Sequence, residues 1–500
     1  MSGVVRLSVE NWGPIKDGSV EIRPLTVFIG PNNTGKSYLA MLFYTLVRTV
    51  SRLGYRAFRF VSAEEKLESV ISDIIDAYLK EKRITEDLVG ELSNLISKAL
   101  SEEMSKEFSS IFREELERVY SSEVGALVKL GNKEARIELT VNNPYVEFSV
   151  LSRIAAGNKL KVEKFELSLK SFLIEKYIKR KITNVLRYLS KIELHKEIRV
   201  AIKRYLESEL SLWLYETSLK RMLFKGDIHY LPASRAGILH SYRCVAKALV
   251  SLASIAPVRG VEIPGIPGPL ADFLGELILM GEPRRISKRT RVIKALAQLL
   301  EENVLEGEVA LLRGAPEAPP TFIFKFDGSS LPITRVSSMI AEAAPLIILL
   351  KYGNVSSGDT LIIEEPEAHL HPDRQARLAV FLARLVNEAG LRFLLTTHSD
   401  VLLAKFSNLV SLSALSRDEV VRLGYDFNVA LSPEKVSVYS FEPGPEGVSV
   451  VPVKVTYEGI PDDVFRRVLE SLYEETMSLY YRVQESRRAR GHEGSESGTD

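Results

Sequence analysis

Residues 30–37 read Gly-Pro-Asn-Asn-Thr-Gly-Lys-Ser, and this stretch decides the fold. It matches the pattern G-x-x-x-x-G-K-[ST], in which glycines let the backbone curl around a phosphate and backbone N–H groups face it. The run Leu25–Ile29 before it is short and largely apolar, as expected of a buried strand, and residues 38–50 have a helical pattern. This order of strand, loop and helix predicts a phosphate-binding loop at the N-terminus of a helix.

The residues expected to hold a nucleotide are Gly30, Pro31, Asn32, Asn33, Thr34, Gly35, Lys36, Ser37 and Tyr38. Within this set, the ammonium of Lys36 should reach the β- and γ-phosphates of ATP, and the hydroxyl of Ser37 should bind Mg²⁺. An ordinary glycine-rich turn, or a loop that binds another anion, is the alternative interpretation. The strand before the loop and the helix after it favour the nucleotide site.

Two acids follow the short apolar run Leu361–Ile363, which is the pattern of a Walker B strand. The carboxyl ends of parallel strands border the ligand cleft of an α/β sheet. We expect Glu364 to bind Mg²⁺ and Glu365 to orient or deprotonate the attacking water. Walker B strands normally present Asp at the first position, so Glu364 departs from the pattern. Solvated turn acids are the alternative, and the presence of a phosphate loop argues against them.

A histidine lies just after the next apolar run, Phe393–Leu395. His398 there can form a hydrogen bond with the γ-phosphate or the attacking water, although a capping or buried structural histidine is the alternative. His369 and His371 are two residues apart and therefore do not share a helix face. We interpret them as part of an intersubunit loop before a helix that begins at Pro372, rather than as a metal site.

The order of the predicted elements indicates the domain organisation. Short buried strands at 360–363 and 392–396 enclose a helix at 372–389, and this alternation predicts a parallel sheet. The predicted fold class is α/β, a P-loop head with a mixed sheet and a mostly helical inserted lobe. We expect residues 1–56 to form the first part of the head, 57–226 the lobe, 227–484 the rest of the head and 485–500 a disordered tail.

The composition excludes several classes of protein. Hydrophobic residues make up 45% and charged residues 26% of the 500 residues, as in soluble globular proteins. The 66 basic and 65 acidic residues give a net charge of +1, which excludes a globally basic nucleic-acid coat. The single cysteine, Cys244, excludes a disulfide framework and a zinc cluster. Because neither a signal peptide nor an apolar run of membrane-spanning length is evident, we expect a cytoplasmic protein.

Several stretches together resemble a known family. They are Asn11–Lys16, Pro24–Ser37, Leu361–Pro372 and Thr396–Ser399. With the sub-pattern Glu-Glu-Pro-Glu-Ala-His-Leu-His-Pro, they resemble the ABC-type AAA ATPases related to RecF, SMC and OLD proteins. The resemblance does not extend to the inserted lobe. No acidic cluster like the TOPRIM nuclease domain of OLD proteins follows the last stretch, so we do not expect nuclease activity.

The resemblance implies a dimer in which two heads enclose two ATP molecules. A signature loop of one head then contacts the γ-phosphate that the other head binds. The matching segment is residues 335–339, in which Ser337 corresponds to the signature serine, whereas Ser338 and Met339 replace the usual glycines. This departure implies slow hydrolysis. A simple helix N-cap is the alternative role for Ser337 or Ser338. Arg235 would either sense the nucleotide or form a structural ion pair.

Two basic clusters are candidates for contacts with the phosphates of DNA or RNA. The first, between Lys176 and Lys191, has Glu residues nearby and is better interpreted as a solvated helix face. The second has no acid within it and leaves both interpretations open. Its members are Arg284, Arg285, Lys288, Arg289, Arg291 and Lys294.

These observations lead to three hypotheses about function. The first is a Mg²⁺-dependent ATPase with slow turnover that drives the dimerisation of heads in DNA repair or antiviral defence, with DNA as a candidate partner. The second is a non-enzymatic ATP sensor that controls a separate effector protein, which the missing signature glycines favour. The third, the ATPase subunit of a membrane transporter, is disfavoured by the large segment that follows Ser37.

Overall fold

The computed structural model describes residues 3–54, 65–81, 85–189, 205, 219–259, 266–280, 288–312, 319–461 and 473–484. The predicted disordered tail, residues 485–500, lies outside the described residues, as do Lys191, Arg284 and Arg285 of the basic clusters. A final helix is predicted from Asp462 to Val483. Its first half lies outside the described residues, and residues 473–484 are helical.

The strands are β1 Val4–Trp12, β2 Ile15–Glu21, β3 Leu25–Ile29, β4 Glu134–Asn142, β5 Val146–Ala155, β6 Lys159–Leu169, β7 Ile228–Leu231, β8 Glu308–Leu312, β9 Thr321–Phe326, β10 Ser329–Pro332, β11 Thr360–Glu364, β12 Arg392–Thr396, β13 Val436–Gly444 and β14 Gly447–Val453. Eleven of them form one sheet in the order β6-β5-β4-β1-β2-β14-β13-β3-β12-β11-β7, and a smaller sheet has the order β10-β9-β8. The predicted α/β class with a mixed sheet is confirmed.

The helices are α1 Lys36–Gly54, α2 Glu65–Glu81, α3 Glu86–Tyr120, α4 Ser171–Leu189, α5 Leu219–Phe224, α6 Arg235–Arg259, α7 Gly268–Leu279, α8 Lys288–Leu300, α9 Ser338–Tyr352, α10 Pro372–Arg384, α11 Asp400–Ser411 and α12 Arg417–Arg422. A π-helical turn over Leu385–Ala389 continues α10. The two together span residues 372–389, for which the sequence predicts one helix. Within the described ranges, no helix is both long and apolar enough to cross a membrane.

Parallel pairing builds the half of the large sheet that carries the motifs. β3 lies between β12 and β13, and β12 pairs with β11, which pairs with β7; all four pairs are parallel. Every residue of β3 is buried. Its side chains enter two different hydrophobic clusters, Phe28 on one side and Val27 on the other. Burial on both faces explains why this strand is an apolar run rather than an alternating one.

The other half of the sheet is mainly antiparallel and includes strands from the predicted lobe. β1 pairs with β4, which pairs with β5, which pairs with β6. These three strands fall within the predicted lobe and continue the sheet that β1 begins. The unpaired edge of β1 would otherwise expose backbone N–H and C=O groups. The boundaries at residues 57 and 226 stay a prediction.

A tight turn divides the single strand that the sequence predicts between Arg136 and Val150. The side-chain carbonyl of Asn143 accepts hydrogen bonds from the N–H groups of Tyr145 (2.8 Å) and Val146 (3.0 Å). Such local side-chain bonds favour turns over strands. The chain therefore reverses at Asn143, and β4 and β5 pair with each other.

Candidate active site

The motif segments meet at one edge of the large sheet. β3, β12 and β11 are neighbours and run in parallel, so their carboxyl ends lie side by side. The segments that follow these ends are residues 30–37, 397–399 and 365–372. A backbone hydrogen bond from the N–H of Glu365 to the carbonyl of Thr396 (2.8 Å) joins the segment after β11 to the last residue of β12. The predicted motifs therefore form a single site.

The backbone of the phosphate loop needs its two glycines. Gly30 has a φ of +135° and Gly35 a φ of +92°, which residues with a side chain rarely adopt. A Cβ atom on Gly30 would also lie 2.7 Å from the carbonyl oxygen of Phe441. Within the loop, the hydroxyl of Thr34 donates a hydrogen bond to the carbonyl of Pro31 (2.8 Å). These features hold the loop in a curled conformation at the start of α1.

The ammonium of Lys36 lies inside this loop. Its Nζ donates hydrogen bonds to the carbonyl oxygens of Gly30 (2.8 Å) and Pro31 (2.7 Å), and the residue is only 6% exposed. Burial lowers the pKa of Lys36 to about 8, although the charges of Glu365 and Glu367 oppose this shift. The loop therefore holds a cation that has lost much of its hydration and is bonded only to neutral carbonyl oxygens. A phosphate oxygen is a stronger partner for it.

Tyr38 packs away from the loop. Its ring lies in an aromatic cluster with Trp12 and Tyr120, at centroid distances of 6.0 Å and 4.7 Å. A Cβ atom on Gly13, in the turn between β1 and β2, would lie 2.6 Å from this ring. The side chain thus joins α1 to the β1–β2 turn. Any contact of Tyr38 with a nucleotide would come from its backbone at the N-terminal end of the helix.

Glu364 is held by two hydrogen bonds at the end of β11. The hydroxyl of Tyr230 donates to Oε1, and the N–H of Ala233 donates to Oε2 (3.1 Å). Both donors belong to β7 and the turn after it. This support orients the glutamate carboxylate at the position where Walker B strands normally have aspartate. Each carboxylate oxygen retains a lone pair for a further partner.

A buried arginine holds the turn after Glu364 through hydrogen bonds to its backbone. Arg235 is 2% exposed and donates hydrogen bonds to the carbonyl oxygens of Glu364 (2.7 Å) and Glu365 (3.0 Å). It also donates to the carbonyl of Glu342 in α9 (2.8 Å) and forms an ion pair with its carboxylate (3.4 Å). Of the two roles predicted for Arg235, these contacts favour the structural ion pair. The backbone of Glu365 has a φ of +44°, and this support stabilises that conformation.

His398 follows β12 and its side chain is exposed. Partial burial lowers the pKa of His398, and the charge of Lys36 lowers it further, while the charges of Glu365 and Glu367 raise it. The imidazole is therefore mainly neutral at neutral pH. The positive charge of Lys36 thus disfavours a second positive charge on the imidazole of His398.

Glu367 is a site residue that the sequence analysis did not single out. Its carboxylate accepts hydrogen bonds from the hydroxyl of Thr397 (2.5 Å) and the N–H of His398 (3.0 Å). The only signal in the sequence is an acid two residues after Glu365. The partner segment lies thirty residues further along the chain, so local pattern does not reveal the contact.

The loop histidines and Ser337 lie outside this group. His369 is exposed with a φ of +61°, and the Nδ1 of His371 accepts a hydrogen bond from the N–H of Asp373 (3.3 Å) at the start of α10. Ser337 is exposed at the N-cap position of α9, and its side chain makes no cap hydrogen bond. No hydrogen bond or ion pair joins Ser337 to the phosphate loop among the described residues.

A family model for the AAA ATPase domain matches residues 4–220 and 280–403 of the chain. The chain belongs to the AAA ATPase domain family. The predicted resemblance to ABC-type AAA ATPases is thereby confirmed, and the protein is an ATP-binding ATPase. A comparison with curated proteins gave no match for this ATPase.

Among solved structures, the ATPase is similar to SMC head domains. One is the SMC head bound to the C-winged helix domain of ScpA, with 12% identity, a TM-score of 0.37 and coverage of 90% of this chain and 97% of that chain. Another is the SMC head domain from Thermotoga maritima, with 9% identity, a TM-score of 0.37 and coverage of 90% and 99%. A third, from Pyrococcus furiosus, carries an extended coiled coil and the C-terminal domain of ScpA, with 11% identity, a TM-score of 0.38 and coverage of 97% and 100%.

Proposed function

We propose that the ATPase hydrolyses ATP slowly, with Mg²⁺, at the edge formed by β3, β11 and β12, and that ATP binding drives the dimerisation of two heads. The observation that carries this proposal is the position of Lys36, Glu365 and His398. They follow three adjacent parallel strands. The charge of Glu365 raises the pKa of Lys36 and that of His398, and the charge of Lys36 lowers the pKa of His398. A cation for the phosphates, an acid for water and a neutral imidazole therefore occupy one cleft.

The donor set at the proposed metal position suits Mg²⁺. Ser37 offers a hydroxyl oxygen and Glu364 a carboxylate oxygen, and hard oxygen ligands are those that Mg²⁺ prefers. The hydrogen bonds from Tyr230 and Ala233 orient the carboxylate without using all its lone pairs. When bound, Mg²⁺ neutralises charge on the β- and γ-phosphate oxygens.

The remaining steps belong to the chain's own residues. Lys36 exchanges its two carbonyl partners for phosphate oxygens, and the N–H groups of residues 30–37 surround the β-phosphate. Glu365 orients the attacking water and accepts its proton, while the imidazole of His398 forms a hydrogen bond at the γ-phosphate. Positioning and electrostatic stabilisation supply most of the rate enhancement in this kind of reaction.

Dimerisation is proposed from the free side chain of Ser337. This serine stands at the N-cap position of α9, yet its hydroxyl makes no cap bond and is exposed. It is thus available to a γ-phosphate bound by a second head. Ser338 and Met339 replace the glycines that the signature pattern has next, so fewer backbone N–H groups are accessible there, and slow turnover follows. We also propose the head and lobe division at residues 57 and 226, and a cytoplasmic location.

The process that we propose is linked to DNA, in repair or antiviral defence. The described part of the second basic cluster lies on α8, which has no acid in its first turn. Arg291 is exposed there, and Lys294 is half-buried.

A second candidate is an ATP sensor that controls a separate effector protein. The absence of signature glycines favours it, because a sensor needs binding and dimerisation but little turnover.

The test is steady-state turnover over a series of protein concentrations, with and without duplex DNA. Dimerisation of heads predicts a specific activity that rises with protein concentration, and a DNA-linked role predicts stimulation by DNA at low salt. Constant specific activity would contradict the dimer. Turnover that depends on concentration but not on DNA would favour the effector hypothesis.

A further inference from the structure

One oxygen of a buried carboxylate fixes three consecutive residues after β12. Oε1 of Glu367 accepts hydrogen bonds from the hydroxyl of Thr397 (2.5 Å) and from the N–H of His398 (3.0 Å). The hydroxyl of Thr397 in turn accepts a hydrogen bond from the N–H of Ser399 (2.9 Å). The backbone that carries the imidazole of His398 is therefore held by Glu367.

Helix α10 supplies a second attachment for residues 397–399. The hydroxyl of Ser399 donates to Oε1 of Gln375 (2.5 Å), and Nε2 of Gln375 donates to the carbonyl of Leu370 (2.8 Å). Glu367 and Gln375 both follow the Walker B acids in the chain. The position of residues 397–399 is thus set from the segment that also carries Glu365.

The second oxygen of Glu367 differs from the first in holding none of the described residues. Oε2 is buried and has no hydrogen-bond partner among the described residues. A buried, unpaired carboxylate oxygen is destabilising, and native proteins rarely keep one without a reason. Thr397 and His398 need only a neutral acceptor, which an amide would supply. The charge of Glu367 also raises the pKa of Lys36.

We propose that Glu367 is a positioning residue for ATP hydrolysis, which holds residues 397–399 so that His398 meets the γ-phosphate. It acts through His398 and does not itself contact ATP. The inference rests on the proposed role of His398 in turnover, and the experiment separates the two.

The experiment is a double-mutant cycle on kcat with Glu367→Ala and His398→Ala. Misplacement of a reacting group by about 1 Å can lower a rate by about 100-fold, and we expect Glu367→Ala to lower kcat about 10- to 100-fold. The Kd for a non-hydrolysable ATP analogue should stay within about twofold, because the phosphate loop is intact. The double variant should be no slower than His398→Ala alone, since a residue that acts through another is not additive with it.

Two further variants complete the design. Glu367→Gln keeps an acceptor oxygen for Thr397 and His398 and should recover most of the kcat that Glu367→Ala loses. Glu388→Ala is the matched control, because Glu388 pairs with Arg384 (2.6 Å) at the far end of α10, and its kcat should equal that of the wild type. Should Glu367→Ala fail to fold, Thr397→Val removes the bond to Glu367, together with the bond from the N–H of Ser399, with little change in shape. It should lower kcat about 3- to 10-fold.

The outcomes are distinct. Additive losses in the double variant, or unchanged kcat in a folded Glu367→Ala or Thr397→Val protein, would overturn the positioning role alone. Wild-type turnover by His398→Ala would overturn the proposed role of His398, and the positioning role with it. A slow His398→Ala protein with a non-additive Glu367→Ala change supports both.

Discussion

The hydroxyl of Tyr230 in β7 donates a hydrogen bond to the carboxylate of Glu364 at the end of β11. The two residues are 134 positions apart in the chain, and the parallel pairing of β7 with β11 brings them together. The ring of Tyr230 in turn lies 5.3 Å from that of Tyr44 in α1. The proposed metal ligand is therefore oriented by a neighbouring strand that is itself packed against the helix of the phosphate loop.

Tyr230→Phe should weaken the binding of Mg²⁺ at Glu364. The change removes one of two hydrogen bonds that orient the carboxylate and adds no bulk. Loss of one hydrogen bond to a charged group is worth about 1.5–3 kcal/mol, so the Mg²⁺ concentration for half-maximal turnover should rise about 10- to 100-fold. A Mg²⁺ titration of ATPase activity measures it. The control is Tyr352→Phe, which loses a hydrogen bond to the carbonyl of Val309 (3.1 Å) and should have the Mg²⁺ requirement of the wild type. If Glu364 were not a metal ligand, Tyr230→Phe would also keep the wild-type Mg²⁺ requirement.

The affinity for nucleotide should fall as the pH rises above about 8. Burial lowers the pKa of Lys36 to about 8 in the free protein, and only the charged ammonium neutralises phosphate. Below this pH Lys36 is already charged, and the affinity is independent of its titration. Above it, binding must take up a proton, so the Kd should rise up to about tenfold per pH unit. Fluorescence titration with a nucleotide analogue and EDTA, from pH 7 to 9.5, measures the effect.

Two substitutions of Lys36 test whether this ammonium is the titrating group. Lys36→Arg keeps a charge over the whole pH range and should remove the pH dependence above 8. Lys36→Ala should also remove it and weaken nucleotide binding by about 1.5–3 kcal/mol, the contribution of one charge-assisted contact. Unchanged affinity in a folded Lys36→Ala protein would contradict the assignment of the phosphate loop.

Local pattern was sufficient to predict the phosphate loop and the acids after β11, but not the contacts that orient them. A tight loop such as residues 30–37 is defined by adjacent residue types, because its glycines adopt φ values that others avoid. The bond from Thr397 to Glu367, like the pairing of β1 with β4, joins residues far apart in the chain. Such contacts depend on strand order and register, which one sequence does not reveal.

Glu365→Gln should bind ATP normally and hydrolyse it poorly. The amide keeps the shape of the side chain and can still form hydrogen bonds, but it cannot accept the proton of water. Removal of a general base typically costs about 10²- to 10⁴-fold in rate. Light scattering and size-exclusion chromatography should show a stable dimer with ATP. If Glu365→Gln turned over at the wild-type rate, another residue would be the general base. Glu388→Gln is the control for a change from glutamate to glutamine elsewhere in the chain.

Mixing two inactive variants should restore turnover if Ser337 acts across the dimer. Lys36→Ala lacks a working phosphate loop but keeps Ser337, and Ser337→Arg has the opposite defect, since an arginine would block the exposed N-cap position of α9. A mixed dimer contains one site with both working parts. Coupled-enzyme assays of the mixture should therefore exceed those of either variant alone. If Ser337→Arg on its own were as active as the wild type, Ser337 would have no role across the dimer and would serve only at the start of α9.

DNA should bind at the second basic cluster. Lys288, Arg289 and Arg291 lie in the first turn of α8, where no acid is present. A cation in the first turn of a helix opposes its dipole and destabilises it by about 0.3–1 kcal/mol, so the exposed side chain of Arg291 is unfavourable for the fold there. Bound phosphate would reverse this effect, because an N-terminus and its cations both attract anions. We therefore expect these residues to contact the DNA backbone.

Fluorescence anisotropy of a labelled duplex over a salt series gives the measurement. The logarithm of the binding constant should fall against the logarithm of salt concentration with a slope of about −0.9 per phosphate contact. Reversal of Lys288, Arg289 and Arg291 to Glu should flatten that slope and leave the affinity for ATP unchanged. The matched control reverses the same number of charges in α4, at Lys176, Lys179 and Arg180, where Lys179 is already paired with Glu175. If both sets of reversals weakened DNA binding equally, net charge alone would explain the binding. If the protein bound no DNA at low salt, with or without ATP, a protein effector would be favoured as the partner.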